Sequence, residues 1–146
     1  MSLKDWLVKR LAGDDSAELE LSPEEEELSG LNLREVLNAH IVWKEKLNTT
    51  LDGTSTERYE VATVSQDNLC VLGKWIYGPG KKKYSKLPEY EALRKVHQEF
   101  HICAANVLEK HENGEPKEAT QILNGVFREA SNQIQLDLVR LFTVAR

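Results

Sequence analysis

The stretch Val96–His101, VHQEFH, sets His97 and His101 four positions apart. On a helix that spacing projects both rings from one face, where they can meet one ion. Two hydrogen-bonded core histidines fit the same spacing, so further ligands have to decide. His40 falls on the apolar stripe of an earlier helical segment and Cys70 near the start of another, so separate helices could bring both toward the same point. Three neutral imidazoles and one thiolate are borderline-soft donors suited to tetrahedral Zn²⁺. A helix start also lowers a thiol pKa, because its unpaired N–H groups favour an anion. Gly73, one turn after Cys70, leaves room for another helix to approach. Zinc catalysis is the rival chemistry, but it needs a position open to water, and four protein ligands close the tetrahedron. Glu99 does not supply the base of an HExxH motif. It follows His97 by two positions instead of one and turns to another face, where it is solvated or supports a ligand.

Four long apolar patterns would have to position these groups. Leu33, Val36, Leu37, His40, Leu47 and Leu51 line a first helix that Asp52-Gly53 ends. A second, shorter helix spans about residues 67–77, with Cys70 in its first turn, and stops at Gly78-Pro79-Gly80. Lys81 to Lys83 then fall in a solvated loop, and no P-loop spacing of glycines and lysine is present. Leu87-Pro88-Glu89 begins a third helix carrying Leu93, Val96, His97, Phe100, His101, Ala104 and Leu108, which ends near Asn113-Gly114. From Pro116 a fourth helix carries an almost unbroken seam, Ala119 to Leu141. The expected fold is all-α, an antiparallel four-helix bundle over residues 31–146 without strands. Ahead of it, Leu3, Trp6, Leu7 and Leu11 make a short amphipathic helix, and the acidic residues 12–30 make a linker. That helix suits partner docking, weak membrane-surface attachment or a flap folded back on the bundle.

Charge narrows the partners. A net charge of -5 supplies no broad basic field for nucleic acid. No apolar run approaches the length of a transmembrane segment, and MSLKDWLVKR lacks the features of a secretory leader, so a cytoplasmic location is expected. Two cysteines are too few for a disulfide scaffold, and in a reducing compartment each reads as a thiol, a metal ligand or a redox sensor.

The residues around the candidate ligands add what spacing alone does not supply. AHIVWKEKL around His40, CVLGKWIYG around Cys70 and LPEYEALRKVHQEFH around His97 and His101 resemble the chemoreceptor zinc-binding (CZB) family, from about Leu33 into the fourth helix. The resemblance implies a zinc-binding helical bundle with His40, Cys70, His97 and His101 as the metal ligands. It further implies a cytoplasmic bacterial signalling module, often a homodimer, attached to or associated with a chemoreceptor or diguanylate cyclase. In such modules zinc occupancy or cysteine oxidation regulates the partner, in chemotaxis or cyclic-di-GMP control. With 146 residues there is no room for a receptor or cyclase domain beside the bundle, so the chain reads as a stand-alone, non-enzymatic member with an N-terminal extension. A structural, permanently zinc-stabilised dimerisation or scaffold bundle is the alternative.

Several neighbours have two readings each. Trp43, Trp75 and Phe100 either pack an apolar wall around the metal or are ordinary bundle core. Asp67 is most simply an N-cap, or else accepts a hydrogen bond that tunes Cys70 or a ligand histidine. Cys103, two positions past His101, points elsewhere and reads as a small buried hydrophobe.

Overall fold

The computed structural model describes residues 5–6, 8–9, 12–14 and 26–145. Among the described residues the architecture is all-α apart from one small hairpin, in which β1 (Glu27–Leu28) pairs antiparallel with β2 (Leu31–Asn32). The end of the acidic stretch is therefore structured, and the expectation of no strands is corrected. The cause is Ser29-Gly30: both residues take positive φ, 49° and 88°, as a two-residue hairpin loop requires. Leu28 and Leu31 on either side are buried and fix the hairpin on the core.

Seven helices follow: α1 (Leu33–Asp52), α2 (Val61–Val64), α3 (Val71–Tyr77), α4 (Pro79–Tyr84), α5 (Pro88–Glu112), α6 (Pro116–Asn124) and α7 (Val126–Val144). The Asn32 side chain caps α1 by accepting from the Glu35 N–H at 2.9 Å, and Gly53 closes it at φ 80°. Proline opens α4, α5 and α6, where its missing N–H costs nothing.

Three sequence expectations change. The seam after Pro116 is two helices, because Gly125 adopts a non-helical conformation in which a Cβ would lie 2.9 Å from the Gln121 carbonyl oxygen. Gly78-Pro79-Gly80 does not begin a loop: Pro79 starts α4, and Lys81, Lys82 and Lys83 are its exposed residues. The second helix begins at Val71 instead of about Asp67, with α2 inserted ahead of it.

Helix α5 is the pillar of the molecule. It packs along α7 and α6, while α1, α2 and α3 also lie against it. Leu93, Phe100, Val107, Phe127, Ile134 and Leu138 fill the space between at 0–1% exposure. Fully burying side chains of this size contributes roughly 1.5–3 kcal/mol each, so α5 is the element least free to move. Trp6, helical with Asp5, is buried in the same core, which favours a folded-back position for the amino-terminal segment. Leu3, Leu7, Leu11 and the acidic residues 15–25 lie outside the described residues. Among the described residues no helix is long and apolar enough to cross a membrane.

Candidate metal centre

The structure brings His40, Cys70, His97 and His101 together, one potential ligand atom from each lying within 4.8 Å of the others. Helix α5 supplies the pair expected from VHQEFH. His97 Nε2 lies 3.1 Å from His101 Nε2, and Cys70 Sγ lies 3.2 Å and 3.6 Å from those two atoms. Ligands about 2.0–2.3 Å from a tetrahedral zinc stand roughly 3.3–3.6 Å apart, so these three atoms already fit such an ion. His40 completes the set from α1, its ring edge-on to His97 with centroids 5.5 Å apart.

Backbone carbonyls orient two of the rings. His40 Nδ1–H donates to the Val36 carbonyl at 2.8 Å, one helical turn back, and His101 Nδ1–H donates to the Val64 carbonyl of α2 at 2.9 Å. With the proton placed on Nδ1, each Nε2 presents its lone pair to the centre. His97 differs: its buried Nδ1 has no hydrogen-bond partner, so no backbone carbonyl fixes that ring as Val36 and Val64 fix the other two.

Burial sets the protonation. It lowers His40 to about 4 and His97 to about 2, with the neighbouring imidazoles adding to the shift. His101 is also lowered by burial, against the pull of the Val64 carbonyl and the Asp67 carboxylate. All three are neutral near pH 7 and available as ligands.

Cys70 sits outside the helix proper, as the N-cap of α3, and its Sγ accepts from the Gly73 N–H at 3.3 Å. The helix-start N–H groups of Gly73 and Leu72 do favour the thiolate, as expected. Burial outweighs them and Asp67 adds repulsion, so the thiol of the metal-free site is raised. A cation held by these ligands would favour the thiolate, since zinc deprotonates a coordinating thiol outright.

Gly73 has a more local role than admitting another helix. A Cβ there would lie 1.8 Å from the Asp67 carbonyl oxygen, so the loop immediately before Cys70 rests on this glycine. Asp67 is not the cap of α3. Its carboxylate accepts the Tyr77 hydroxyl, pinning that loop to the far end of α3. Phe100 lies edge-on to both His40 and His101, at 5.1 and 5.6 Å, and stacks on Phe127 behind them. Trp43 packs on Tyr59 with Lys46 Nζ 4.9 Å above its ring. Trp75 turns toward the hairpin, its indole N–H donating to the Ser29 carbonyl at 3.1 Å and its ring lying against Tyr84. Cys103 is half-buried against the core, and Glu99 is exposed.

The Val64 carbonyl, Tyr59 and Tyr77 escape sequence reasoning. A backbone carbonyl has no residue-type signal, and the two tyrosines sit 11 and 7 positions from Cys70 with no shared periodicity. Tyr59 and Trp43 line a groove of about 530 Å³ that reaches Cys70 and His101. The Val36 carbonyl, by contrast, lies four residues before His40 and was within reach of a helical reading.

No curated protein and no solved structure matches the chain. The family model of the Chemoreceptor zinc-binding domain does match, over residues 40–108, a span that begins at His40 and contains all four clustered side chains, and so the resemblance in the motifs is borne out and the cofactor is Zn²⁺.

Proposed function

We propose that His40, Cys70, His97 and His101 hold one Zn²⁺ and that the domain is a regulatory sensor, not an enzyme. The observation carrying this reading is the convergence of three imidazoles and a thiol within 4.8 Å, the histidines neutral and two of them aimed by backbone carbonyls. When bound, the ion supplies a positive charge that stabilises the Cys70 thiolate and ties α1, α3 and α5 to one point. Metal binding favours only conformations in which those ligands meet, so zinc availability biases the position of Cys70 against α5.

In the same reading residues 31–146 are the zinc-binding unit, packed as an antiparallel bundle, and residues 1–30 are an extension that packs on it through Trp6 and Leu28. The unit works as a cytoplasmic homodimer that reports to a bacterial chemoreceptor or cyclic-di-GMP enzyme. Oxidation is a second input. Hypochlorous acid transfers its oxygen to the Cys70 thiolate: an S–O bond forms, the O–Cl bond breaks, chloride leaves with the electron pair, and the resulting sulfenic acid is a poorer ligand.

Metal analysis of protein purified without added metal tests the site, beside Cys70→Ala and His97→Ala. One zinc per chain in the wild type and its loss in both variants support the assignment; unchanged zinc in the variants refutes it. A permanently structural site is distinguished by chelation, since a sensor gives up zinc reversibly with a conformational change, whereas a structural site holds it until the fold fails.

A further inference from the structure

Three of the four candidate ligands are closed off from behind. His40 and His101 lie edge-on to Phe100, itself 1% exposed and stacked on Phe127, and His97 is 0% exposed. Of the four candidate ligands, the groove of about 530 Å³ is lined by Cys70 and His101. Its wall includes Trp43, Arg58, Tyr59 and Leu69. The Trp43 and Tyr59 rings meet at 5.3 Å, with Lys46 Nζ placed over both, and the Tyr59 hydroxyl donates to the Glu57 carboxylate at 2.6 Å. Tyr59 belongs to residues 54–60, which have no regular secondary structure, so its ring can swing without unfolding a helix.

We propose that zinc is exchanged through this groove, at the Cys70–His101 edge, and that the Trp43–Tyr59 ring pair sets the rate of exchange. The inference rests on the zinc reading above and adds a direction of access and two gating residues that are not ligands. Cys70 and His101 are the ligands that an acceptor entering by the groove would meet first.

The test follows transfer of bound zinc to the chromogenic chelator 4-(2-pyridylazo)resorcinol by stopped flow, with equilibrium affinity measured separately by competition. Loss of an aromatic pair opens the groove, so Trp43→Ala and Tyr59→Ala are expected to accelerate transfer roughly twofold to tenfold at unchanged affinity. Tyr59→Phe, which keeps the ring, is expected to transfer at the wild-type rate, as is the exposed α7 substitution Val126→Ala. Wild-type rates in both alanine variants, a Tyr59→Phe rate equal to that of Tyr59→Ala, or acceleration wholly explained by weaker affinity would overturn the gate. A chain that binds no zinc at equilibrium would overturn the zinc reading and the gate with it, a result separable from the others because it is read before any kinetics.

Discussion

The two sides of the metal centre are built differently. His97 and His101 stand in the interior of a 25-residue helix, buried at 0% and 6% exposure, on the element that touches most of the others. Cys70 stands at the junction of a loop and the seven-residue α3, half-buried and facing a groove. Helix hydrogen bonds and core packing position the histidines, and moving them means disrupting the core. Local contacts position the cysteine: the Gly73 N–H, the Asp67 backbone resting on Gly73, and the Tyr77 hydroxyl on the Asp67 carboxylate. The contrast suits a sensor whose fixed half remains in place while its adjustable half responds.

Removing a ring from the fixed half should have the largest effect. His97→Ala loses a ligand and leaves a cavity in the core, so zinc affinity should fall by more than about 100-fold. The metal-free fold should lose on the order of 2–4 kcal/mol, measured by urea denaturation. Gly73→Ala attacks the adjustable half. Its new methyl group cannot coexist with the Asp67 carbonyl, and relieving that overlap should cost about 1–3 kcal/mol. Because Cys70 moves with the loop, zinc affinity should fall too, while circular dichroism retains the helical signal of α5 and α7.

These two positions also mark what the sequence discloses. The spacing of His97 and His101, the apolar stripe carrying His40 and the proline that starts α5 are periodic or positional signals, and each corresponds to an observed element. Cys70 as a cap, α2, and the Trp75 contact to the Ser29 carbonyl depend on packing between segments far apart in sequence. The break at Gly125 is hidden in the sequence for another reason. An apolar seam can continue through a change of backbone direction, so periodicity did not register the interruption.

Titration offers a third way to separate the halves. His40 and His97 have folded-state pKa values lowered to about 4 and about 2 by burial. The unfolded chain takes up protons on these groups from near pH 6.5 downward, while the fold resists. Stability of the metal-free protein is therefore fully present above about pH 6.5 and declines as pH falls below it, by on the order of 1.4 kcal/mol per pH unit for each group until its folded pKa is reached. Cys70 behaves oppositely in its link to the ion. Its raised thiol is protonated at pH 7, so zinc binding should release about one proton, from the cysteine and none from the histidines. Calorimetry of zinc binding in buffers of different ionisation enthalpy measures that proton.

Tyr77→Phe should be the mildest change. It removes one hydroxyl from the Asp67 carboxylate, costing about 0.5–1.5 kcal/mol in stability. It should raise the susceptibility of Cys70 to thiol reagents in the metal-free protein without altering the number of zinc ions bound.

X-ray absorption spectroscopy of the zinc-loaded protein tests the central claim most directly. The expected spectrum is one sulfur near 2.3 Å and three nitrogens near 2.0 Å, with the sulfur scattering gone in Cys70→Ala. A site with two or more sulfurs, or the wild-type spectrum retained in Cys70→Ala, would contradict the assignment of His40, Cys70, His97 and His101 as the zinc ligands.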